Sequence, residues 1–214
     1  VSVVVPACNE EENVAHVHRE LTASLSRGAF GDHEIIFVDD ASTDATAALV
    51  LALNDPRVRL VRLPKRSGRS IAQGEGFRSA RFEVIATIDA TRREDPADLN
   101  PMAELLAQGW DFVQGRRARR PALWLVNAGR RLVLGGGPSD MGCGFRLFRR
   151  QCVESVRLFN GAHALLPYLV EKKGYRVTEI GIRHRPRAGG GANRGSSEPL
   201  FAPLLGLLRA RFSA

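Results

Sequence analysis

Short apolar runs alternate with longer segments of helical periodicity through the first half of the chain. Four of the runs predict strands, at Val1 to Val5, Glu34 to Val38, Val58 to Leu63 and Val84 to Ile88. After the first run, apolar side chains recur at the spacing of one helical face, at Val14, Val17, Leu21 and Leu25. Strands that lack strict alternation and are joined by helices are typical of a parallel sheet covered on both faces. We therefore predict an α/β fold with a mostly parallel sheet.

Polar residues after the first two strands indicate where helices begin. Asn9 is a candidate N-cap for the first helix, and Glu10 to Glu12 carry the negative charge that favours a helix N-terminus. Ser42 is the corresponding candidate cap for the helix through Ala48 and Leu49.

The second half of the chain has a less regular pattern. It predicts strands at Asp111 to Gln114, Phe145 to Phe148 and Tyr175 to Ile182, a Gly-rich turn at Gly135 to Gly137, and helices around Gln151 to Phe159 and His163 to Lys173. A loop rich in Gly, Ser and Arg follows at Arg187 to Ser197. The apolar stretch Leu200 to Phe212 has three interpretations: a terminal helix on the core, an interfacial helix, or the approach to a membrane segment.

Composition narrows the class of protein. With 214 residues, of which 44% are hydrophobic, the chain can bury a core as one domain. The net charge of +8 indicates contact with polyanions: nucleic acid, nucleotide phosphates or an anionic membrane face. No apolar stretch reaches the roughly 18 residues of a membrane span, so we expect a soluble or peripheral domain. Because the chain opens at Val1 without methionine, we also expect segments beyond its ends.

The three cysteines, Cys8, Cys143 and Cys152, are an odd number without metal-ligand spacing. They indicate neither a disulfide framework nor a zinc site, and they favour a reducing, cytosolic setting.

Acidic and amide side chains follow three of the predicted strands. Asn9 and Glu10 come after the first strand, Asp39 and Asp40 after the second, and Asp89 after the fourth. Ligands of parallel sheets bind beyond the carboxyl ends of the strands, and carboxylates accept hydrogen bonds from ribose hydroxyls or hold a divalent cation. Each residue alone is equally an ordinary turn or cap residue, but the set predicts a functional site.

Several segments resemble family 2 glycosyltransferases with the GT-A fold. The opening pattern is VVVPACNEEEN at 3–13, VDDASTD at 38–44 and IDA at 88–90. Later segments are similar to the branch that contains dolichol-phosphate mannosyltransferase and bacterial undecaprenyl-phosphate sugar transferases: DPAD at 95–98, VQGRR at 113–117, SDMGCGFR at 139–146 and HRPR at 184–187. The resemblance covers nearly the whole chain in the right order.

The resemblance implies where the donor binds. Residues 1–99 would form the nucleotide-sugar half, 100–195 the acceptor half, and 196–214 an apolar and basic tail close to the membrane. The nucleotide-sugar site would be lined by Pro6, Ala7, Asn9, Glu10, Asp39, Asp40, Asp89, Arg92 and Arg93.

The chain departs from the family pattern at the expected metal site. Relatives carry an Asp-x-Asp pair that holds Mg²⁺ or Mn²⁺ on the donor diphosphate, whereas this chain has Asp89-Ala90-Thr91. The site at Asp89 is therefore weakened, and three outcomes stay open. The positive charge comes directly from Arg92 or Arg93, the metal is restored by Glu94 or Asp95, or catalysis is lost.

The same resemblance assigns residues of the second half to transfer. Arg116 and Arg117 begin a basic segment that would bring guanidinium groups to the donor and acceptor phosphates. The alternative interpretation is a run of solvated charges. The segment continues through Arg119, Arg120, Arg130 and Arg131. Asp140 either orients groups in the acceptor loop or caps the Gly-rich turn. Further phosphate contacts are expected from Arg146, Arg185 and Arg194, the last in place of a lysine of relatives. The candidate catalytic residues are Asp89, Arg116, Arg117 and Asp140.

The implied function is transfer of a sugar, with inversion, from a UDP- or GDP-linked donor to a polyprenyl phosphate such as undecaprenyl or dolichyl phosphate. The alternatives are a family 2 transferase with a non-lipid acceptor and a catalytically weakened nucleotide-binding or scaffold subunit. Expected partners are the donor, the lipid acceptor, an anionic membrane surface, and a membrane protein or second copy. No nucleic-acid motif is present. We expect a cytoplasmic position, peripheral at the inner face of the membrane.

Overall fold

The computed structural model describes residues 1–117, 138–140, 142–154, 156 and 161–186. Three predicted segments therefore lie outside the described residues: the Gly-rich turn at 135–137, the loop at 187–197 with Arg194, and the apolar stretch at 200–212. The arginines at 119, 120, 130 and 131 also lie outside them.

The described strands form one mixed sheet in the order β3-β2-β1-β4-β6-β5-β7. β6 is antiparallel to β4 and β5, and the other pairings are parallel. The bounds are β1 Ser2–Ala7, β2 Glu34–Asp39, β3 Val58–Arg62, β4 Val84–Thr87, β5 Phe112–Arg116, β6 Arg146–Arg149 and β7 Val177–Gly181. The mostly parallel sheet predicted from the sequence is confirmed.

Helices cover both faces of this sheet. Their bounds are α1 Val14–Arg27, α2 Thr46–Ala52, α3 Arg69–Ser79, α4 Leu99–Ala107, α5 Gln151–Glu154 and α6 Leu166–Lys172, with short 3-10 turns at Pro96–Asp98 and Ala162–Ala164. The helix predicted at 163–173 thus begins as a 3-10 turn before α6. In the described parts of the chain, no helix combines the length and apolar character that crossing a membrane requires.

Alternate residues of β1 pack into separate cores on the two faces. Val3 and Val5 pack with the predicted apolar face of α1, and Val4 packs with residues of α3 such as Phe77. The closest approach is at Gly76 of α3, where an added Cβ would lie 2.2 Å from Cγ1 of Val4. Glycine at this position therefore lets α3 lie directly on the sheet.

Both predicted helix caps are wrong. α1 begins only at Val14 and α2 only at Thr46, and neither has an acidic residue in its first turn. Asn9 and Ser42 instead join the two loops: the Asn9 backbone N–H donates to Ser42 Oγ at 3.0 Å, and Asn9 Oδ1 accepts from the Thr43 backbone N–H at 2.8 Å. Their side chains therefore stabilise contacts between loops that begin at the same edge of the sheet.

Candidate active site

The carboxyl ends of β1, β2 and β4 lie at one edge of the sheet because these neighbours run in the same direction. The Asp40 backbone N–H donates to the Ala7 carbonyl at 2.9 Å, which joins the loops after β1 and β2. Asp39, Asp40 and Asp89 are 0%, 6% and 9% exposed. The predicted convergence of acidic residues at this edge is present in the structure.

The last residues of β1 and the loop that follows it line this edge. Ala7 is buried and Pro6 half-buried. The Glu10 carboxylate accepts from Asn13 Nδ2 at 2.6 Å, and its backbone N–H donates to Thr46 Oγ1 at 2.8 Å. Glu10 is thereby fixed by contacts with both loops.

Asp39 and Asp40 organise different neighbours. Asp39 Oδ1 accepts from the Ser42 backbone N–H at 3.0 Å, so this carboxylate closes the turn after β2. The Asp40 carboxylate accepts from the backbone N–H groups of Ser67 at 2.6 Å and Gly68 at 2.9 Å. Gly68 has φ +87°, a conformation that L side chains rarely adopt. Asp40 therefore holds the chain at the point where α3 begins.

Arg69, the first residue of α3, forms an ion pair with Asp89 through Nη2 and Oδ2. The carboxylate raises the pKa of the arginine, and the arginine side chain is one-third exposed, at 33%. Arg69 is not among the site residues predicted from the sequence. The sequence feature that could have identified Arg69 is its positive charge in the first turn of a helix, where the helix macrodipole disfavours a cation.

Arg92 lies away from Asp89. It has φ +57°, and its Nη2 pairs with Glu20 Oε1 of α1 at 3.2 Å. The carbonyl of Arg93 accepts from the Arg185 backbone N–H at 2.6 Å. The cation placed against Asp89 is thus Arg69, not Arg92.

Glu94 is a second buried carboxyl group close to Asp89. It is 2% exposed, and burial together with the charge of Asp89 raises its pKa to about 8. Both effects therefore favour the protonated form of this carboxyl group.

The oxygens around Asp89 do not fit a divalent cation. Asp89 is already paired with Arg69, and Thr91 contributes only a hydroxyl where a carboxylate is expected. Within the described ranges no three His, Cys, Asp or Glu side chains meet as a metal-binding group. Hard cations such as Mg²⁺ and Mn²⁺ prefer several anionic oxygen ligands, whereas the Asp89-Ala90-Thr91 segment supplies one carboxylate.

Arg117, directly after β5, and Asp140 form a bidentate ion pair. Nε and Nη2 of Arg117 each donate to the carboxylate at 2.8 Å, and the Arg117 backbone N–H adds a third bond at 3.1 Å. Burial alone would raise the pKa of Asp140, but these bonds outweigh it and lower the pKa. Asp140 is therefore ionised and positions the guanidinium of Arg117. Arg116, at the end of β5, is exposed.

Arg146, for which a contact with acceptor phosphate is predicted, is engaged by protein groups. It is fully buried in β6, donating from Nε to Gln114 Oε1 at 2.8 Å and from Nη2 to the His163 carbonyl at 2.6 Å. Burial lowers the pKa of this arginine to about 10. Gln114 in turn donates to the carbonyls of Asp140 and Cys143, so Arg146 stabilises the position of these two residues through Gln114.

Arg185 lies at the outer rim of the edge. Its guanidinium pairs with Glu20 at 3.2 Å and with Asp95 at 2.8 Å, and its side chain is 43% exposed. The ion pairs join the segment after β7 to α1 and to the loop after β4.

Comparisons with known sequences give one family. Residues 2–157 match "Glycosyl transferase family 2". An undecaprenyl-phosphate 4-deoxy-4-formamido-L-arabinose transferase from Aeromonas hydrophila is 27% identical over 205 residues, 91% of this chain and 63% of that protein. The protein of the same name from Pseudomonas aeruginosa is 33% identical over 202 residues, 89% of this chain and 59% of that protein. This chain spans about three-fifths of the length of these curated relatives.

Solved structures share the fold. Mannosyl-3-phosphoglycerate synthase from Rubrobacter xylanophilus has a TM-score of 0.72 and 19% identity, over 97% of this chain and 72% of that chain. Glucosyl-3-phosphoglycerate synthase from Mycobacterium tuberculosis, in complex with Mn²⁺, UDP-glucose and phosphoglyceric acid, has a TM-score of 0.64 and 22% identity, over 87% and 72%. The predicted α/β GT-A fold is confirmed. Because the family match extends over most of its length, the chain belongs to glycosyl transferase family 2.

Proposed function

We propose that this domain transfers a sugar from a UDP- or GDP-linked donor to a polyprenyl phosphate with inversion at the anomeric carbon. The observation that carries the proposal is the juxtaposition at one sheet edge of two ion pairs, Arg69 with Asp89 and Arg117 with Asp140. Because a guanidinium group binds phosphate oxygens, two arginines at one edge match a reaction between two phosphorylated reactants. The names of the curated relatives, undecaprenyl-phosphate sugar transferases, support the lipid acceptor.

Residues 1–99 form the donor half in this proposal. The loops after β1 and β2 would enclose the nucleobase with Pro6, Ala7, Asn9 and Glu10. A ribose hydroxyl would donate to Asp39, a buried carboxylate that ends β2. Asp40 acts indirectly, because it fixes the backbone of the two residues that precede Arg69.

Residues 100–195 form the acceptor half. An oxygen of the acceptor phosphate attacks the anomeric carbon, the new carbon–oxygen bond forms, and the bond to the nucleoside diphosphate breaks with its electron pair leaving on the diphosphate. A phosphate oxygen is already ionised near neutral pH, so the step needs no general base. Asp140, committed to Arg117, therefore orients the guanidinium that neutralises acceptor charge.

A cytoplasmic position, peripheral at an anionic membrane face, fits this acceptor and the net charge of +8. Exposed arginines at the edge, such as Arg116 and Arg185, would approach the lipid headgroups. The tail at 196–214 and a membrane protein or second copy are further candidates for holding the domain there.

The test is product analysis with radiolabelled UDP- and GDP-sugars offered to polyprenyl phosphate, the matching polyprenol, and 3-phosphoglycerate. We expect label in the lipid only with the phosphorylated acceptor. Transfer to phosphoglycerate would show that the acceptor is a soluble phosphorylated molecule and not a lipid. Nucleotide binding without transfer to any acceptor would instead favour the weakened nucleotide-binding subunit, for which Thr91 is the motivation.

A further inference from the structure

We propose that Arg69 supplies, from the chain itself, the positive charge that faces the donor diphosphate, so that donor binding needs no divalent cation. The inference rests on the proposed function, since it concerns the same nucleotide site. It starts from the contact between the guanidinium of Arg69 and the carboxylate of Asp89, the residue where a metal is expected.

The backbone of Arg69 is held in place before any ligand binds. Asp40, 6% exposed, accepts hydrogen bonds from the two residues that precede it, Ser67 and Gly68. Asp89 then fixes the far end of the side chain. A cation positioned in advance stabilises charge on a leaving group without the cost of reorganising during the reaction.

The accessibility of Arg69 also suits a ligand. Its side chain is 33% exposed, whereas that of Asp89 is 12% exposed, so the guanidinium is the more accessible member of the pair. A guanidinium has five N–H donors. Asp89 engages Nη2, and the geometry of the fork lets other donors reach phosphate oxygens.

Four other arginines near this edge have protein partners of their own. Arg92 pairs with Glu20, Arg117 with Asp140, and Arg185 with Glu20 and Asp95. Arg146 is buried beneath the acceptor loop. Among the ion pairs of the described residues, Asp89 is paired with Arg69 alone.

The charges at Asp89 balance without a metal. Two carboxylates with a divalent cation sum to zero, and one carboxylate with one guanidinium also sum to zero. Thr91 in place of a second carboxylate and Arg69 in place of the cation are therefore compensating features of one site. Either feature alone would leave an uncompensated charge at a mostly buried position, which is costly.

The experiment measures binding of UDP and GDP to the purified chain by calorimetry and thermal shift, once in EDTA and once in Mn²⁺. Calorimetry also records any binding of Mn²⁺ alone. We expect one nucleotide to bind equally well, within about twofold, under both conditions. Arg69→Gln should weaken that binding about tenfold or more, because a charge-assisted contact to phosphate is lost. Arg69→Lys keeps the charge and should bind without Mn²⁺, which separates loss of charge from loss of folding.

Arg78→Gln is the matched control, since Arg78 lies at the other end of α3 and pairs there with Glu75. It removes the same charge from the same helix and should leave nucleotide binding unchanged. The double variant Arg69→Gln with Thr91→Asp should regain binding only when Mn²⁺ is present. A double variant that stays insensitive to Mn²⁺ would contradict the charge-balance argument.

The possible failures are distinguishable. Wild-type binding that requires Mn²⁺ overturns the role of Arg69 and leaves the proposed function intact; loss of the Mn²⁺ effect in Glu94→Gln would then identify Glu94 as the ligand. If neither UDP nor GDP binds, in EDTA or in Mn²⁺, the proposed function is overturned and this inference with it.

Discussion

Gly144 lies directly against Asp89: a Cβ added at residue 144 would be 2.9 Å from Oδ1 of the aspartate. The Gly144 carbonyl accepts a hydrogen bond from Thr87 Oγ1 at 2.5 Å, which brings the acceptor-side loop onto the end of β4. A side chain at residue 144 would therefore press on the Asp89 carboxylate, and glycine at this position lets the segment lie against the end of β4.

Gly144→Ala should disturb the Asp89–Arg69 pair. The new methyl group has to push aside a carboxylate that an ion pair holds, so nucleotide affinity should fall about tenfold with a loss of stability of about 1–3 kcal/mol. Nucleotide titration and thermal unfolding measure the two effects. Gly181→Ala is the control, because a Cβ there meets nothing within 4 Å. Unchanged nucleotide affinity in Gly144→Ala would show that Asp89 takes no part in donor binding.

Gly76→Ala tests the packing of α3 on the sheet. The added Cβ would lie 2.2 Å from Cγ1 of Val4, so overpacking should cost about 1–3 kcal/mol of unfolding free energy. Chemical denaturation of the variant measures this cost. Adding Val4→Ala removes the obstructing methyl groups, and the double variant should be more stable than the sum of the two single effects predicts. Additive effects would place the strain elsewhere.

Asp140→Asn tests the acceptor side without altering the donor side. The amide cannot maintain two charge-assisted bonds to Arg117, so the guanidinium loses its fixed orientation. We expect the kcat/KM for polyprenyl phosphate to fall about 10²-fold, with nucleotide affinity retained. Asp55→Asn is the control, since it breaks another aspartate–arginine pair, with Arg57, remote from this edge. Equal losses in both variants would indicate a general effect on folding.

Glu94 should make stability depend on pH. Its pKa in the folded protein is raised from 4.5 to about 8 by burial and by Asp89. Stability from this group is therefore complete below pH 4.5 and is lost as pH rises towards 8, by at most about 1.4 kcal/mol per pH unit. Unfolding free energies at pH 6 and pH 9 measure the loss. Glu94→Gln should flatten the dependence, and Glu104→Gln, at an exposed position, should not.

The sequence predicts the donor half of the sheet well because its strands are buried on both faces. Every residue of β2 is buried, and the apolar run at 35–38 is typical of a strand covered on both faces of a sheet. Cap residues were harder to assign, since Asn9 and Ser42 have the right side chains for a helix cap but bond to each other's loops. Which partner such a side chain finds depends on contacts 33 residues apart.

The charged residues of the site were predicted less well, because a guanidinium can serve a ligand, a carboxylate or the core. Arg146 follows a Gly-rich segment typical of binding loops, yet it lies in a strand whose neighbours enclose it. Arg69 lies outside the segments that carry the family resemblance. It contacts Asp89 in the folded chain, where the bond between Gly68 and Asp40 fixes the start of α3. Long-range contacts decide these roles.

The reversed direction of β6 places both ends of the connection between β5 and β6 at the same edge of the sheet. β5 ends at the functional edge with Arg116, and β6 starts at the same edge with Arg146, paired with Thr87 at the end of β4. Both attachment points of the connection from 117 to 145 are thus fixed by strand pairing. Because these pairings do not depend on how many residues join Arg117 to Pro138, insertions or deletions between them can change the length of the connection while the register of β1, β2 and β4 stays the same.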